Sequence, residues 1–380
     1  MNQIQKNKKK LLDYVSVVRK DSIFPPVVSH SSEFPGMGGY MLEDFYHVSV
    51  YGGIPDSNFL KLGEINAVVE NTYLPSFCND IFSCWLYHMN QGRTTDFQNV
   101  LSYNFKKYYA EQLYWRCSSN FSRAIFLETL LYEQDQMVPI VNELSKSVKT
   151  RSYSELSVSI ATSLISLHEL AHLYLNSENK LWASLNQEYG QIIAPMYDDV
   201  KSNYGDAFAT EIRCDMFAIL MSVKLLERDW DMADILNIII YHSNSFGLFY
   251  SLGRSAKVTY DQNRKNWESE KVDFTSIDPY DSNDVYSIVP DKTMVLRSQL
   301  MISFCERIAQ KSKAKIYDQN PQLPLSKQLL IQYVGVVDRM MEPKNPMARN
   351  MALLCARAFH DHPKGMDYLL LRSKKFNRRN

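Results

Sequence analysis

The chain lacks paired cysteines, net charge and long uninterrupted apolar runs, and each absence removes a class of protein. Its six cysteines (Cys78, Cys84, Cys117, Cys214, Cys305 and Cys355) are scattered, with no C-x-x-C pair. That is neither a disulfide scaffold nor a thiolate zinc site, and it fits a reducing compartment. Lys and Arg (42) balance Asp and Glu (42), so the whole-chain field gives no reason to expect nucleic acid or an anionic membrane as a partner. The start, MNQIQKNKKKLLDY, is basic but has no apolar stretch or cleavage site of a secretory signal. No run approaches the roughly 18 apolar residues of a spanning helix. Met216–Val223 and Ile235–Tyr241 are interrupted by polar residues and read as buried helices. A cytoplasmic protein with no transmembrane segment is the expectation. Histidine is scarce too, with eight in the chain, which makes the spacing of two of them informative.

Those two are in HELAH, His168 to His172, within SLISLHELAHLYLN. Residues four apart share one helix face, so both imidazoles can reach one tetrahedral zinc ion. Glu169 is next to His168, where it can take a proton from a water at that metal. The surrounding residues are apolar, and ionisable groups on a buried helix need partners; a metal supplies one to both histidines. A catalytic zinc needs a third protein ligand and one open position. The metzincin continuation is excluded, because Leu175 and Glu178 stand where it needs Gly and His. Downstream, EIRCDMFAILMSVKLL again has helical period, with Glu211 and Asp215 one turn apart. Glu211 is the proposed third ligand, with Asp215 accepting the outward ring N–H of one histidine. A bland alternative makes Glu211 a first-turn helix acid, with Thr210 in the cap. Asp198, Asp199 and His242 are rival ligands: the two aspartates read as solvated loop acids, and His242 as either near the site or a core histidine.

HELAH followed by a Glu-x-x-x-Asp helix resembles the gluzincin group of zinc peptidases, with the nearest likeness to soluble relatives of the CAAX-prenyl-protease and phage-exclusion Lit peptidase type. The likeness covers residues 155 to about 226. It implies His168, His172 and Glu211 as Zn2+ ligands, Glu169 as general base and Asp215 as the carboxylate behind a ligand. Cys214 stands where such families often have Ala, a small and readily buried replacement. Relatives also carry a late His-Pro followed by an Arg; here His362–Pro363 is followed only by the more distant Arg372. His362 is the oxyanion donor that the likeness suggests, with His242 or a tyrosine as alternatives.

Along the chain, the lysines at positions 6 and 8–10 read as a solvated, frayed end, and residues 24–40 as loop. His47–Tyr51 alternates like a short strand, which in peptidases of this kind can present an edge to an extended substrate. Helical periodicity covers Phe59–Tyr73, Phe77–Met89, Phe97–Cys117 and Arg123–Ser147. Ser152 or Ser154 is available to cap the metal helix. Asp261–Asp291, rich in Asp, Asn, Ser and Pro, reads as a solvated loop or a lid, and helix returns over Met294–Ser312, Ser326–Met341 and Met347–Phe359. His30, His47 and His88 have no partner pattern and read as structural or surface residues. The expected fold is mainly α (α+β): a zincin-like metallopeptidase core with a short N-terminal β element and helical extensions. Its divisions are a mainly helical region at 1–150, the core at 151–260, the acidic loop at 261–291 and a C-terminal helical region at 292–380.

The expected activity is zinc-dependent endopeptidase cleavage of a protein substrate, with a regulatory protein as a further partner. The alternatives are a zinc peptidase that trims short peptides and a metal-stabilised binding or regulatory protein without catalysis.

Overall fold

The computed structural model describes residues 3–19, 25–30, 45–52, 57–91, 104, 108, 111–112, 148–175, 180–267 and 291–319. Within them, helix α1 (Gln3–Val18) leads into strands β1 (Val27–His30), β2 (Tyr46–Val50), β3 (Asn58–Leu62) and β4 (Ile65–Asn71). Helices α2 (Tyr73–Gln91), α3 (Val148–Tyr174), α4 (Lys180–Tyr204), α5 (Asp206–Leu226), α6 (Met232–Trp267) and α7 (Lys292–Ser312) follow, then a 3-10 turn at Tyr317–Gln319. The protein is therefore mostly helical with a small mixed sheet, an α+β arrangement. By spatial proximity the chain divides into two compact units. One comprises Met1–Asn79, Glu155–Phe246 and Leu296–Leu329, and the other Asp80–Ser154, Gly247–Val295 and Leu330–Asn380.

In the first unit the sheet order is β1-β2-β4-β3. The β1–β2 and β3–β4 pairs are antiparallel, and β2–β4 is parallel. Side chains alternate between the two faces. Tyr46, Val48, Val50, Ile65, Ala67 and Val69 meet Leu11 and Val15 of α1 on one face. On the other, Glu70 is fully buried and accepts hydrogen bonds from His47 Nε2 (2.6 Å) and from Ser166 Oγ of α3 (2.7 Å). This polar tie holds the metal-motif helix against the sheet two residues before His168. His47, expected to be structural or surface, is part of it, and His30 makes an edge-to-face contact with Tyr46.

Phe59–Tyr73, expected as a helix, is the β3–β4 hairpin. Gly63, at φ 65°, makes the tight reversal between Leu62 and Ile65. Five consecutive buried residues, Ala67 to Asn71, hide the alternation that would have identified β4, because a central strand is covered on both faces. The N-terminal lysines are on an ordered helix rather than a frayed end, since Leu11 and Val15 give α1 a face to bury. β1 likewise lies inside a stretch expected as loop.

The HELAH helix begins at Val148, so Ser152 and Ser154 lie inside it and do not cap it. Asp198 and Asp199 are on α4, not in a loop. α6 runs without interruption to Trp267, so the first residues of the expected acidic loop are helical; residues 268–290 lie outside the described residues, as do most of the helices expected at 97–117 and 123–147, all beyond 319, and the side chain of His88. Asp291 caps α7 by accepting the Met294 N–H at 3.1 Å. In the second unit, Tyr108 donates to Asp80 at 2.9 Å and Asn104 to the Cys84 sulfur at 3.0 Å. Among the described residues one helix, Ser152–Tyr174, is long and apolar enough to cross a membrane, and most of it is buried within the protein.

Candidate metal centre

Two helices bring the donors together. α3 carries His168 and His172 on one face, with ring centroids 5.1 Å apart and planes at 85°. α5 packs alongside because Phe217, fully buried, meets Tyr174 of α3 and Trp182 of α4. Its N-terminus is set by Gly205, at φ 88° and ψ 167°, with no side-chain cap. Glu211 therefore lies in the second turn, not the first, where Asp206 is the acid that faces the helix dipole. Thr210 is not a cap; its hydroxyl donates to the Asp206 carbonyl at 2.9 Å. The dipole thus offers no explanation for Glu211.

Glu211 is instead turned to the histidines. Its Oε2 is 3.2 Å from His168 Nε2, and its Oε1 is 3.7 Å from His172 Nε2. One donor atom from each of these three side chains falls within 4.8 Å of the others. Among the described residues the group holds these three alone. Two imidazoles and a carboxylate are a donor set suited to zinc, which in hydrolytic sites takes three protein ligands and a water. The residues therefore fit the ion that the spacing suggested.

Behind the donors are the outward partners. His168 Nδ1 is 2.9 Å from Asp215 Oδ1, and Asp215 is 4% exposed. His172 Nδ1 instead faces the sulfur of Cys214 at 3.6 Å. A third helix also enters: from α7, Arg297 Nε and Nη2 donate to the two oxygens of Asp215 at 2.6 and 2.8 Å. Neither the HELAH spacing nor the Glu-x-x-x-Asp spacing points to Arg297. The signal available was a buried aspartate in need of a cation, and an arginine in the apolar run TMVLRSQLMISF.

The electrostatics follow from this geometry. Burial and the Arg297 cation both act to lower His168, but Asp215 and Glu211 outweigh them and raise it above its ordinary value. Burial and the neighbouring His168 lower His172. The hydrogen bond from His168 holds Glu211 below the usual carboxylate range against the effect of burial. Burial alone would push Asp215 up; Arg297 and then His168 hold it at about 2. Glu169, beside the donors, is pushed up to about 7, chiefly by burial, while an N–H bond from Phe59 of the edge strand opposes the shift. The site grades from buried to open, since the His168 side chain is 10% exposed and that of Glu211 38%. Solvent reaches it from the Glu211 side.

The other sequence candidates lie elsewhere. His242 of α6 is buried and bonded through Nε2 to the Ser157 carbonyl (3.0 Å) and hydroxyl (3.2 Å). Ser157 precedes His168 by three turns, roughly 16 Å along α3. Asp198 and Asp199 are exposed on α4, bonded to Ser202 and Asn203 of the next turn. His362 lies outside the described residues. No protein-family model, no curated protein and no solved structure matches the chain.

Proposed function

We propose that the protein is a zinc-dependent endopeptidase of zincin-like architecture acting on a protein substrate. The observation that carries this reading is the convergence of His168 Nε2, His172 Nε2 and Glu211 beside the largely buried carboxyl group of Glu169. His168, His172 and Glu211 are the residues that would hold the ion. Zinc, when bound there, lowers the pKa of water and polarises a carbonyl. Glu169 accepts the proton of the attacking water and passes it to the leaving amine. Burial raises Glu169 and so favours proton uptake by its carboxylate, while a bound cation would act in the opposite sense. The bond from the Phe59 N–H fixes the Glu169 carboxyl beside the donors. Exposure on the Glu211 side gives an extended chain a way in.

The test is metal content together with turnover of an unfolded protein. Purified protein is expected to hold stoichiometric zinc by elemental analysis and to lose hydrolysis when the zinc is removed. Glu169→Gln should keep the zinc and lose about 100- to 10,000-fold in turnover, since only proton transfer is removed. His168→Ala should lose zinc and activity together. Zinc retained in Glu169→Gln with hydrolysis near the wild-type rate would overturn the assignment. Stoichiometric zinc without hydrolysis of any peptide would favour the alternative of a metal-stabilised binding protein.

A further inference from the structure

We propose that Arg297 is a positioning residue for the metal ligand His168 and acts through Asp215. This rests on the metal-site reading above and extends it from two helices to three. The guanidinium grips Asp215 at both ends, Nε to Oδ2 at 2.6 Å and Nη2 to Oδ1 at 2.8 Å. That fork is the geometry for which arginine is suited and lysine is not. A carboxylate left alone can rotate and exchange its oxygens. Held by the fork, Asp215 presents Oδ1 to His168 Nδ1 at 2.9 Å. The Nδ1 proton is then fixed, and Nε2 is directed to the side where Glu211 and His172 lie, so that its lone pair would meet an ion once the proton it shares with Glu211 has left. Arg297 also backs the ring, since Nη2 is 3.0 Å from Nδ1 and 3.1 Å from Nε2. Nη1 reaches to 3.6 Å from Glu211 Oε2, so one side chain touches three members of the site.

A cation beside a metal site would normally repel the incoming ion. Here the Asp215 carboxylate neutralises the guanidinium at contact distance, and the pair presents little net charge to the donors. Loss of orientation therefore outweighs relief of repulsion when Arg297 is replaced. Removing outer partners of this kind lowers metal affinity by about 10- to 100-fold.

The experiment measures zinc affinity of the full chain by competition with a chromogenic chelator, with circular dichroism to confirm folding. Arg297→Gln and Arg297→Lys should both bind zinc at least about 10-fold more weakly than wild type. The lysine variant decides if the glutamine variant does not fold, since lysine keeps the charge and loses the fork. Adding Arg297→Lys to Asp215→Asn should cause no further loss, because the arginine acts through the aspartate. Histidine 15N spectra of the zinc-loaded protein should show His168 bound through Nε2 with its proton on Nδ1 in wild type, and a mixture of bound forms in Arg297→Lys. Wild-type affinity in Arg297→Lys, tighter binding in Arg297→Gln, or fully additive losses in the double variant would each overturn the positioning role alone. A wild-type chain that takes no zinc would overturn the metal reading and this inference with it.

Discussion

His242 is a neutral base sealed between α6 and α3, its Nε2–H donated to the Ser157 carbonyl. Burial lowers it to about 4, and the bond to Ser157 only partly opposes that. The unfolded chain takes up the proton near pH 6.5 and the folded chain only near 4, so stability falls as pH drops through that window. The full cost is about 3 kcal/mol at ~1.4 kcal/mol per pH unit. His242→Gln, which keeps a side-chain donor and cannot titrate, should lose less stability than wild type between pH 7 and 4.5. Urea midpoints at the two pH values check this; equal losses would place the acid sensitivity elsewhere. His168, His172 and Glu169 were legible because one turn of helix fixes their relation, and Glu211 with Asp215 follows the same rule. Arg297 was not, because no local spacing links it to Asp215. His242 remained ambiguous, since an apolar run before a histidine describes a core residue and a site residue equally well.

Where α4 gives way to α5, Gly205 occupies a conformation that is almost closed to other residues, at φ 88° and ψ 167°. A Cβ there would meet nothing within 4 Å, so the cost of a side chain is purely in the backbone. Gly205→Ala should therefore lower folding stability by about 1–3 kcal/mol, as measured by chemical denaturation. The joint also sets where α5 starts, and so which turn holds Glu211. A fully retained midpoint in Gly205→Ala would mean that the chain starts α5 elsewhere at little cost. Elements with one polar face were readable from the sequence, as for α7, whose expected start at Met294 lies two residues from Lys292. The β3–β4 hairpin was not, because the covered run Ala67–Asn71 carries no period and the decisive residue was a single Gly63.

At the scale of the whole molecule, α1, the sheet and α3 form successive layers: apolar contacts join α1 to the sheet, and the Glu70–Ser166 bond joins the sheet to α3. The parallel β2–β4 pairing joins segments whose register only the folded core decides, so a sequence reading could propose a strand at 47–51 but not its neighbours. If the donors hold zinc, the metal binds the folded chain and not the unfolded one. Free zinc at a thousandfold over its dissociation constant then adds about 4 kcal/mol to stability. The melting temperature should rise with added zinc and fall on chelation, and His172→Ala should abolish the difference in calorimetry. No shift in wild type would separate the site from the stability of the fold.

The clamp also has a consequence for biosynthesis. Arg297 lies 82 residues after Asp215, so a growing chain contains both histidines and both carboxylates before the guanidinium that orders them has been translated. At about 5–20 residues per second, that interval is roughly 4 to 16 s. Throughout it the nascent polypeptide carries the donors without the Arg297 side chain, and if they hold an ion, its tight capture would have to wait for translation past that residue.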